Sequence, residues 1–457
     1  MDVMKYTYHF IGIGGCGMSG IAKLLLQLGA KVSGSDIKES LTTDYLQTLG
    51  ATIYCPQTSA NIKGSPIVVI SSAIKNDNPE LQEARKQGLN CLMRAEMLNE
   101  LMTRFRHKIS VAGTHGKTST TAIVATLLKE AQLDPTYLTG SPMKSTGSNA
   151  NLGASEYFVT ESDESDGSFL KLSPNISVIT NIEPDHMDFY HSTENLLTHF
   201  NQFCQETIDR DGYLVLNRDD PKTKSLLNPE WESRAITYSI TENSDVRATQ
   251  IKHSEEGIQF RLWVKQEDHG DVILRVYGLH NIYNTLAAIA VGIKENIPIK
   301  TIISGVQKFK GTQRRFEKYT QIDGISLYDD YAHHPTEIKI TLQGIKESLK
   351  KPVICIFQPH RYSRTKQFIT EFSECFDDAN TIIITEIYAA NEAPDHSISA
   401  NDIVNNLKKQ GKDAYYIPDK DAIPTFVHGK AGTDAIIVTM GAGNISSILP
   451  EISQKLK

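Results

Sequence analysis

The chain has 457 residues, of which 40% are hydrophobic and 22% charged, and its formal net charge is −7 at pH 7. This length predicts about three domains of roughly 150 residues each, and the composition is that of an ordinary globular protein. The acidic balance argues against nucleic acid as a partner. No run of about 18 apolar residues occurs, so we expect no membrane span. Six scattered cysteines without a CxxC pair, and an N-terminus without a signal-peptide pattern, indicate a cytoplasmic protein with reduced thiols.

Residues 6–105 alternate short apolar strands with helical segments. The predicted strands are 6–13, 31–35, 51–54, 66–70 and 90–93, and the predicted first helix is 18–28. This order favours a parallel sheet with helical crossovers, a Rossmann-like domain. The sequence SSAI at 71–74 follows the fourth strand, at the carboxyl edge where open α/β sheets bind ligands.

A glycine-rich turn, GIGGCG, lies between the first strand and the first helix. Gly12, Gly14 and Gly17 satisfy G-x-G-x-x-G, and Asp36 follows 19 residues after the last of them. This pattern predicts a diphosphate bound at a helix N-terminus. NAD and a UDP-sugar both carry a diphosphate, so the pattern alone leaves a nicotinamide-dependent oxidoreductase open.

A second glycine loop lies in KISVAGTHGKTSTTA, residues 108–122. A β-branched strand leads through Gly113 and Gly116 into a helix, an arrangement that places backbone N–H groups and the helix dipole around an anion. Lys117 is suited to the β- and γ-phosphates and the Thr118 hydroxyl to Mg²⁺. The spacing is shorter than a full Walker A, and an ordinary tight turn is the structural alternative. We expect the lysine to be an exposed loop residue that contributes little to packing.

Two acidic loops follow strands of the same central region. The predicted strands are 109–112, 157–160, 176–180 and 213–216. ESDESD (161–166) follows the second and NIEPDHMD (181–188) the third, a grouping at strand ends that suits Mg²⁺. Glu161 is the better ligand, whereas a solvated surface is an equal alternative for 163–166. His186 is less decisive because Mg²⁺ prefers oxygen.

Residues 245–277 alternate polar and apolar side chains around turns, which predicts a two- or three-stranded antiparallel ribbon. A long amphipathic helix then opens in GLHNIYNTLAAIAVG, residues 278–292. Asn281 and Asn284 share one helical face, and two amides with free donors and acceptors could read an adenine edge. Helix capping by Asn281 is the alternative.

The third region begins near Gly311. Its predicted strands are 325–328, 353–357, 381–387 and 435–440, and its polar segments are GTQRRFEKY, DDYAHHPTEI (329–338), QPHRYSRT (358–365) and GAGN (441–444). The paired arginines of GTQRRFEKY suit phosphate or carboxylate. In DDYAHHPTEI, two acids, a tyrosine, two histidines and a helix-starting proline fit a loop at the carboxyl end of a strand. Arg361 and Arg364 could share one helical face and bind a carboxylate. No internal repeat or low-complexity linker separates the regions.

These motifs together resemble the Mur ligases, the ATP-dependent amide-bond-forming enzymes of peptidoglycan precursor synthesis. The resemblance covers essentially the whole chain. It is carried, in the family's order, by GIGGCGMSG, AGTHGKTSTT, ESDESD, TNIEPDHMD, GLHNIYN, RRF, DDYAHHPTE, QPHRYSRT and GAG. Each motif is weak to moderate alone, and nine in order are specific.

The resemblance implies an α/β fold of three domains. These are a Rossmann-like, UDP-sugar-binding parallel sheet over 1–106, a P-loop-type ATP-binding domain with a small antiparallel ribbon over 107–310, and a Rossmann-like amino-acid-binding domain over 311–457. It also implies a cell-wall ligase that uses ATP and Mg²⁺ to join L-alanine to the lactyl carboxylate of UDP-N-acetylmuramate through an acyl phosphate. We expect a monomer or weak homodimer.

Site residues follow from the same resemblance. The UDP-sugar is expected at Gly14, Gly15, Gly17, Met18, Ser35, Asp36, Ser71, Ser72, Ala73 and Arg94. ATP is expected at Gly113, Thr114, His115, Gly116, Lys117, Thr118, Ser119, Asn281, Asn284, Arg315 and Asp330. The amino acid is expected at Tyr331, His333, Arg361 and Arg364. Mg²⁺ is expected at Thr118, Glu161 and His186. The expected catalytic residues are Lys117, His186, His333 and Arg364.

Three alternatives stay open at this point. A nicotinamide oxidoreductase would leave the phosphate loop and the acidic loops unexplained. A nucleotide-gated interaction protein would bind ATP without turning it over. A recycling ligase of the same family, which adds a whole murein tripeptide to the same sugar nucleotide, would differ mainly where the incoming amine lies.

Overall fold

The computed structural model describes residues 3–457. Its strands are β1 (Thr7–Ile11), β2 (Lys31–Ser35), β3 (Thr52–Tyr54), β4 (Ile67–Ile70), β5 (Cys91–Met93), β6 (His107–Ala112), β7 (Thr136–Met143), β8 (Ser148–Asn151), β9 (Tyr157–Glu161), β10 (Ile176–Ile179), β11 (Tyr213–Asn217), β12 (Ala235–Ser239), β13 (Val246–Ser254), β14 (Gly257–Val264), β15 (Glu267–Leu274), β16 (Glu317–Ile322), β17 (Ile325–Asp330), β18 (Val353–Phe357), β19 (Thr381–Ile384), β20 (Ala414–Tyr416) and β21 (Ile436–Met440). Its helices are α1 (Cys16–Gln27), α2 (Leu41–Thr48), α3 (Pro79–Lys86), α4 (Arg94–Met102), α5 (Lys117–Glu130), α6 (Met187–Tyr190), α7 (Thr193–Asp209), α8 (Pro221–Ser225), α9 (Leu279–Lys294), α10 (Ile299–Gln307), α11 (Pro335–Leu349), α12 (Tyr362–Gln367), α13 (Ile369–Phe372), α14 (Ala400–Lys409), α15 (Ile423–Lys430) and α16 (Leu449–Lys455).

The strands form three sheets. The N-terminal sheet is parallel with order β3-β2-β1-β4-β5, and the central sheet has order β15-β14-β13-β12-β11-β10-β6-β9-β7-β8. The C-terminal sheet has order β16-β17-β21-β18-β19-β20, parallel except for the edge strand β16. The expected α/β class is therefore confirmed.

The predicted strands are present, with ends that shift by up to three residues, but five further strands were missed. β7, β8, β12, β16 and β20 were not predicted. The first two read TYLTGSPM and SNAN, and their glycine, serine, proline and asparagine are poor strand formers. Pairing with neighbouring strands imposes the extended conformation on them.

Contacts divide the chain into two compact units. The first unit comprises the chain up to Thr249, with 261–272 and 283–310. The second comprises 250–260, 273–282 and 311–457. The proposed domain boundaries at 106 and 310 remain predictions.

The N-terminal sheet and the central sheet share one apolar core within the first unit. Leu138, Ala150 and Phe158 belong to the same buried cluster as Ile21 of α1. A Cβ on Gly20 would lie 2.1 Å from Leu138 Cδ1, so the buried Leu138 side chain packs directly over this glycine and would have to move to admit a larger residue. Within residues 3–457, no helix combines the length and apolar character that crossing a lipid bilayer requires.

Candidate active site

The phosphate loop, residues 113–116, connects β6 to α5 and depends on two glycines. Gly113 and Gly116 have φ of 130° and 83°, a region that side chains rarely adopt. A Cβ on the first would lie 2.1 Å from Thr180 Oγ1, and one on the second 2.4 Å from Asn284 Oδ1. The loop is therefore pressed against β10 and α9, and it enters α5 where the first-turn N–H groups have no helical partner. Ser119 is buried in that turn.

The segment after β10 holds the phosphate loop in place. Asn181 accepts the backbone N–H of Thr114 at 3.0 Å through its carbonyl and that of His115 at 2.9 Å through its side chain. Thr180 Oγ1 donates to the His115 carbonyl at 2.6 Å, and the Glu183 N–H donates to Thr114 Oγ1 at 2.8 Å. These bonds fix the loop before any ligand enters.

Lys117 is not the exposed loop lysine that we expected. Its side chain is 20% exposed, and its Nζ donates to the carbonyls of Gly113 at 2.6 Å and Thr114 at 3.0 Å. It also donates to Glu164 Oε1 at 2.9 Å. Against the effect of burial, the Glu164 carboxylate raises the pKa of Lys117. Burial raises the pKa of Glu164 to about 7, although the lysine opposes this shift.

Thr118 and Glu161 form the part of the site that fits Mg²⁺. Thr118 Oγ1 donates to Glu161 Oε2 at 2.7 Å. A Cβ on Gly140 would lie 2.2 Å from Glu161 Oε1 and 2.9 Å from Thr118 Oγ1. Glycine at this position leaves space beside two hard oxygen donors, the ligand type that Mg²⁺ prefers. Sequence reasoning missed Gly140, which lies inside the unpredicted strand β7.

The acidic loop, residues 161–166, is not a solvated charge run. The Glu164 side chain is 4% exposed and paired with Lys117, and the Tyr190 hydroxyl donates to the Glu164 carbonyl. Asp163 Oδ2 accepts a hydrogen bond from Arg94 Nη2 at 2.8 Å. The solvated alternative is therefore wrong for Glu164, whereas Asp163 is ion-paired although its own side chain is 43% exposed. His186, with φ of 56°, precedes α6, and its Nε2 lies 3.5 Å from Asp185 Oδ2.

The two asparagines of α9 have different surroundings. Helix α9 begins at Leu279, so Asn281 is inside it and the capping alternative is wrong. The side-chain amide of Asn281 donates to the Tyr277 carbonyl at 2.8 Å, which contradicts the expectation of free donors there. Asn284 Oδ1 accepts from Thr120 Oγ1 at 3.2 Å, so Asn284 lies beside the phosphate loop.

An aspartate that sequence reasoning missed anchors this part of α9. Asp219 Oδ2 accepts the Tyr283 hydroxyl at 2.9 Å and the Ile240 N–H at 2.6 Å, and its other oxygen accepts the Ser239 hydroxyl. Although burial opposes them, these bonds lower the pKa of Asp219. The signal was present as an acidic pair directly after β11.

The glycine loop, residues 12–17, connects β1 to α1. Asp36 Oδ2 accepts the Gly14 N–H at 2.8 Å, so this acid braces the loop itself. Gly15 N–H bonds back to the Gly12 carbonyl at 3.3 Å. A Cβ on Gly17 would lie 3.1 Å from Arg94 Nη1. Arg94 thus lies against the turn at which the diphosphate is expected.

Other expected sugar-nucleotide residues take three kinds of position. The Met18 side chain is 2% exposed and belongs to the core, so only its backbone can meet a ligand. The buried Ser35 hydroxyl donates to Glu80 Oε2 at 2.5 Å. Ser71, Ser72 and Ala73 follow β4, next to β1 in the sheet.

In the second unit, polar residues gather after the carboxyl ends of β17 and β18. Asp330 accepts the N–H groups of Phe316 at 2.8 Å and Ala332 at 2.7 Å, and burial raises its pKa to about 6. Arg315 Nη1 lies 3.6 Å from Glu337 Oε1. The expected ATP-binding carboxylate therefore already organises its own loop.

Two histidines of this edge, His333 and His360, are partly buried and have lowered pKa values. His333 Nδ1 lies 3.0 Å from the Tyr331 carbonyl, and burial lowers the pKa of His333 to about 3. Burial, followed by the charge of Arg364, lowers the pKa of His360 to about 4. The ring centroids of these two histidines are 5.9 Å apart. An imidazole with a pKa this low is uncharged at physiological pH and is a weak base, since an efficient general base has a pKa near the working pH.

Arg361 and Arg364 do not share a helical face as we expected. Arg361 lies before α12 with φ of 71°, and its N–H donates to the Tyr388 carbonyl at 2.8 Å. Arg364 is inside the helix, and its Nη1 lies 3.3 Å from His360 Nδ1. Sequence reasoning missed Tyr388, whose ring stacks on His360 at 5.7 Å. Its signal was a polar loop directly after β19.

Known proteins match the chain over nearly its full length. Family models match at 7–106 (Mur ligase family, catalytic domain), 111–292 (Mur ligase middle domain) and 314–443 (Mur ligase, glutamate ligase domain). A UDP-N-acetylmuramate–L-alanine ligase from Desulfotalea psychrophila is 43% identical over 99% of this chain and 98% of its own, and one from Geotalea uraniireducens is 42% identical over 98% of each. The crystal structure of the UDP-N-acetylmuramate-alanine ligase of Thermotoga maritima superposes with a TM-score of 0.85 at 28% identity, over 98% of this chain and 99% of that one. The predicted resemblance is confirmed, and the chain belongs to the Mur ligase family.

Proposed function

We propose that this protein is an ATP-dependent ligase that joins L-alanine to the lactyl carboxylate of UDP-N-acetylmuramate. The products are UDP-N-acetylmuramoyl-L-alanine, ADP and phosphate, a step of peptidoglycan precursor synthesis. Relatives named for this reaction support the proposal, since they are 42% and 43% identical over almost the whole chain. The observation that carries it is structural. The glycine loop and the phosphate loop belong to one compact unit, so a sugar nucleotide and ATP can be held side by side.

Two contacts bring the proposed substrate sites together. Cys16, in the glycine loop, donates its thiol hydrogen to the Gly140 carbonyl at 2.8 Å. Gly140 in turn adjoins Glu161 and Thr118, the proposed Mg²⁺ ligands. The lactyl carboxylate attached to the sugar therefore has a short path to the γ-phosphate.

The first step is transfer of the ATP γ-phosphoryl group to the lactyl carboxylate, which gives an acyl phosphate and ADP. Thr118 and Glu161, with His186 as the third expected ligand, would hold Mg²⁺, which would neutralise charge on the phosphates. Lys117 then has to exchange its bonds to Glu164 and the loop carbonyls for phosphate oxygens. Its ammonium would stabilise the negative charge that moves during transfer.

The second step is attack of the alanine amine on the acyl carbon, with release of phosphate. The amine must lose a proton, and we propose His333, His334 or solvent as the acceptor. Because burial lowers the pKa of His333 to about 3, this residue can act as the base only if bound substrate raises that pKa. Arg364 and Arg361 are proposed to bind the alanine carboxylate, because a guanidinium pairs with a carboxylate in bidentate fashion. Tyr331 would then close the pocket around the methyl side chain.

We also propose the division of labour among domains that the sequence predicts. Residues 1–106 would bind the UDP-sugar, 107–310 would bind ATP, and 311–457 would bind the amino acid. Asn284 is proposed to face adenine, and Arg315 and Asp330 to contribute to the ATP site. Asn281 was expected beside Asn284, but the Tyr277 carbonyl already accepts a hydrogen bond from its amide.

A phosphate-release assay with UDP-N-acetylmuramate, ATP and a panel of free amino acids tests the proposal. We expect release with L-alanine and essentially none with L-Ala-γ-D-Glu-meso-diaminopimelate. Efficient use of the tripeptide would assign the chain to the recycling reaction. ATP binding without turnover would support the interaction protein, and binding of NADH in place of the UDP-sugar would support the oxidoreductase.

A further inference from the structure

Arg94 and Asp163 join the two substrate loops across the shared core. Arg94 opens α4, directly after β5 of the N-terminal sheet, whereas Asp163 lies in the acidic loop after β9 of the central sheet. The bond from Arg94 Nη2 to Asp163 Oδ2 is 2.8 Å long. The two residues are 69 positions apart in sequence, so the pair exists only because the two sheets pack together.

The bond to Asp163 engages one nitrogen of the Arg94 guanidinium, Nη2. Within residues 3–457, Asp163 is the one hydrogen-bond partner that the structure gives to Arg94. Nη1 instead lies where a Cβ on Gly17 would be 3.1 Å away. A guanidinium has five N–H donors in a rigid fork, so fixing one nitrogen determines the direction of the others. Nη1 is held against the glycine loop.

Asp163 is itself held in place by its own loop. Its Oδ1 accepts the Ser165 N–H at 3.1 Å, and its carbonyl accepts the Phe169 N–H at 3.1 Å. The next residue, Glu164, is paired with Lys117. The loop that contacts the phosphate-loop lysine therefore also determines where Arg94 points.

We propose that Asp163 is a positioning residue, which holds the Arg94 guanidinium against the glycine loop so that it can bind the diphosphate of the sugar nucleotide. This inference rests on the proposed function, which places a UDP-sugar at that loop. Stability alone is a weak reason for the pair, because the Asp163 side chain is 43% exposed and exposed ion pairs contribute little. What the pair supplies is orientation, because the bond to Asp163 directs Arg94 Nη1 toward the glycine loop.

Titration calorimetry on the full chain tests the proposal, with UDP-N-acetylmuramate and a non-hydrolysable ATP analogue titrated separately. In Asp163→Asn we expect the UDP-N-acetylmuramate Kd to rise about tenfold and the ATP-analogue Kd to change less than twofold. Asp166→Asn, in the same loop, is the matched control and should change neither Kd. Arg94→Lys keeps the charge but loses the planar guanidinium, so it should also raise the UDP-N-acetylmuramate Kd. Combining it with Asp163→Asn should raise that Kd no further than the more affected of the two single variants.

Three results would overturn the inference. An unchanged UDP-N-acetylmuramate Kd in folded Asp163→Asn would leave the pair without a role in binding, and a tighter Kd would mean that Asp163 competes with the ligand for Arg94. If thermal unfolding shows that Asp163→Asn is not folded, an unchanged UDP-N-acetylmuramate Kd in Arg94→Lys would also overturn the inference. Wild-type protein that does not bind UDP-N-acetylmuramate would overturn the proposed function itself, and the first titration separates that failure from the others.

Discussion

The phosphate loop and the glycine loop share a strand–loop–helix arrangement but differ in their charged side chains. Both connect a buried parallel strand to a helix N-terminus, with positive φ at Gly113 and Gly116 in the phosphate loop and at Gly12 in the glycine loop. The phosphate loop carries its own cation, Lys117, held by loop carbonyls and Glu164. The glycine loop has no lysine or arginine of its own, and Arg94 reaches it from α4. A loop that only binds a diphosphate can rely on backbone donors, whereas a loop that supports phosphoryl transfer needs a charge that can move with the reaction.

Removing the lysine should separate the two loops most strongly. In Lys117→Ala we expect phosphate release to fall about a thousandfold or more, because the charge that stabilises the transferring phosphoryl group is lost. The Kd for UDP-N-acetylmuramate should stay within about twofold, as measured by calorimetry. Lys117→Arg, which keeps the charge, is the control for the buried Glu164. Because the lysine is mostly buried, thermal unfolding must accompany the assay. A well-folded alanine variant with near-normal turnover would refute the assigned role.

A methyl group added at Gly140 should displace the proposed Mg²⁺ ligand Glu161 and leave the backbone of the glycine loop unchanged. The new Cβ would lie 2.2 Å from Glu161 Oε1, so the carboxylate must move away from Thr118. For Gly140→Ala we expect kcat to fall about a hundredfold and the Mg²⁺ concentration for half-maximal rate to rise. Gly147→Ala, in the turn after β7, has open space around its Cβ but φ of 66°, so it controls for backbone strain alone. An unchanged magnesium titration in Gly140→Ala would contradict this metal site.

The matching change in the glycine loop should affect binding only. In Gly14→Ala the Cβ would lie 2.7 Å from Asp36 Oδ2, so the acid that braces the loop must shift. We expect the UDP-N-acetylmuramate KM to rise about tenfold while kcat at saturation stays near normal. Initial rates at varied substrate concentration measure both. A large loss of kcat with an unchanged KM would break the comparison, since it would give the glycine loop a role in the chemical step.

The smallest expected effect is a pH dependence confined to the phosphate loop. Burial raises the pKa of Glu164 to about 7, so this acid is neutral below that pH and ionised above it. A neutral Glu164 releases Lys117 and removes a negative charge near the phosphates. The contribution of Glu164 to ATP affinity without Mg²⁺ should therefore be constant below about pH 7 and become severalfold more unfavourable between pH 7 and 8.5, with proton uptake by Glu164 on binding.

Glu164→Gln is the control for this titration. ATP itself ionises in this pH range, and dividing the wild-type affinity by the variant affinity at each pH cancels that contribution. The ratio of wild-type to variant affinity should fall above about pH 7, whereas the same ratio for UDP-N-acetylmuramate should be flat. A flat ratio for ATP as well would mean that Glu164 does not compete with the nucleotide.

The sequence could predict features that depend on neighbouring residues. Strand–glycine–helix order located both loops. Thr118 was expected near Mg²⁺ from the Gly-Lys-Thr motif and Glu161 from its place at a strand end, and the hydrogen bond between them brings these two separate expectations together. It could not predict that Lys117 is buried, because the partner that buries it, Glu164, lies 47 positions away. The amide of Asn281 was also expected to be free, although the Tyr277 carbonyl occupies it. That partner is only four positions earlier, so here a local backbone contact was missed.

Errors in the C-terminal region have a local backbone cause. The pair Arg361 and Arg364 has helical spacing, yet positive φ at Arg361 puts that residue outside α12.

Gly140 and Tyr388 were missed for different reasons. Gly140 lies in a strand of poor β-propensity, and Tyr388 follows a strand whose end was predicted three residues too late. Both positions are fixed by pairing between distant segments, which no single window of sequence contains.

The core shared between α1 and β7 means that the first 106 residues are not a separable building block. The Leu138 side chain packs directly over Gly20 of α1, and Leu138, Ala150 and Phe158 complete its apolar cluster. A recombinant fragment ending at residue 106 would expose that helix face to water, and exposed apolar faces of this kind promote aggregation. Ligand screening aimed at the glycine loop therefore requires at least the partner strands of the central sheet, and a compound found with the fragment alone would have met a surface that the intact chain buries.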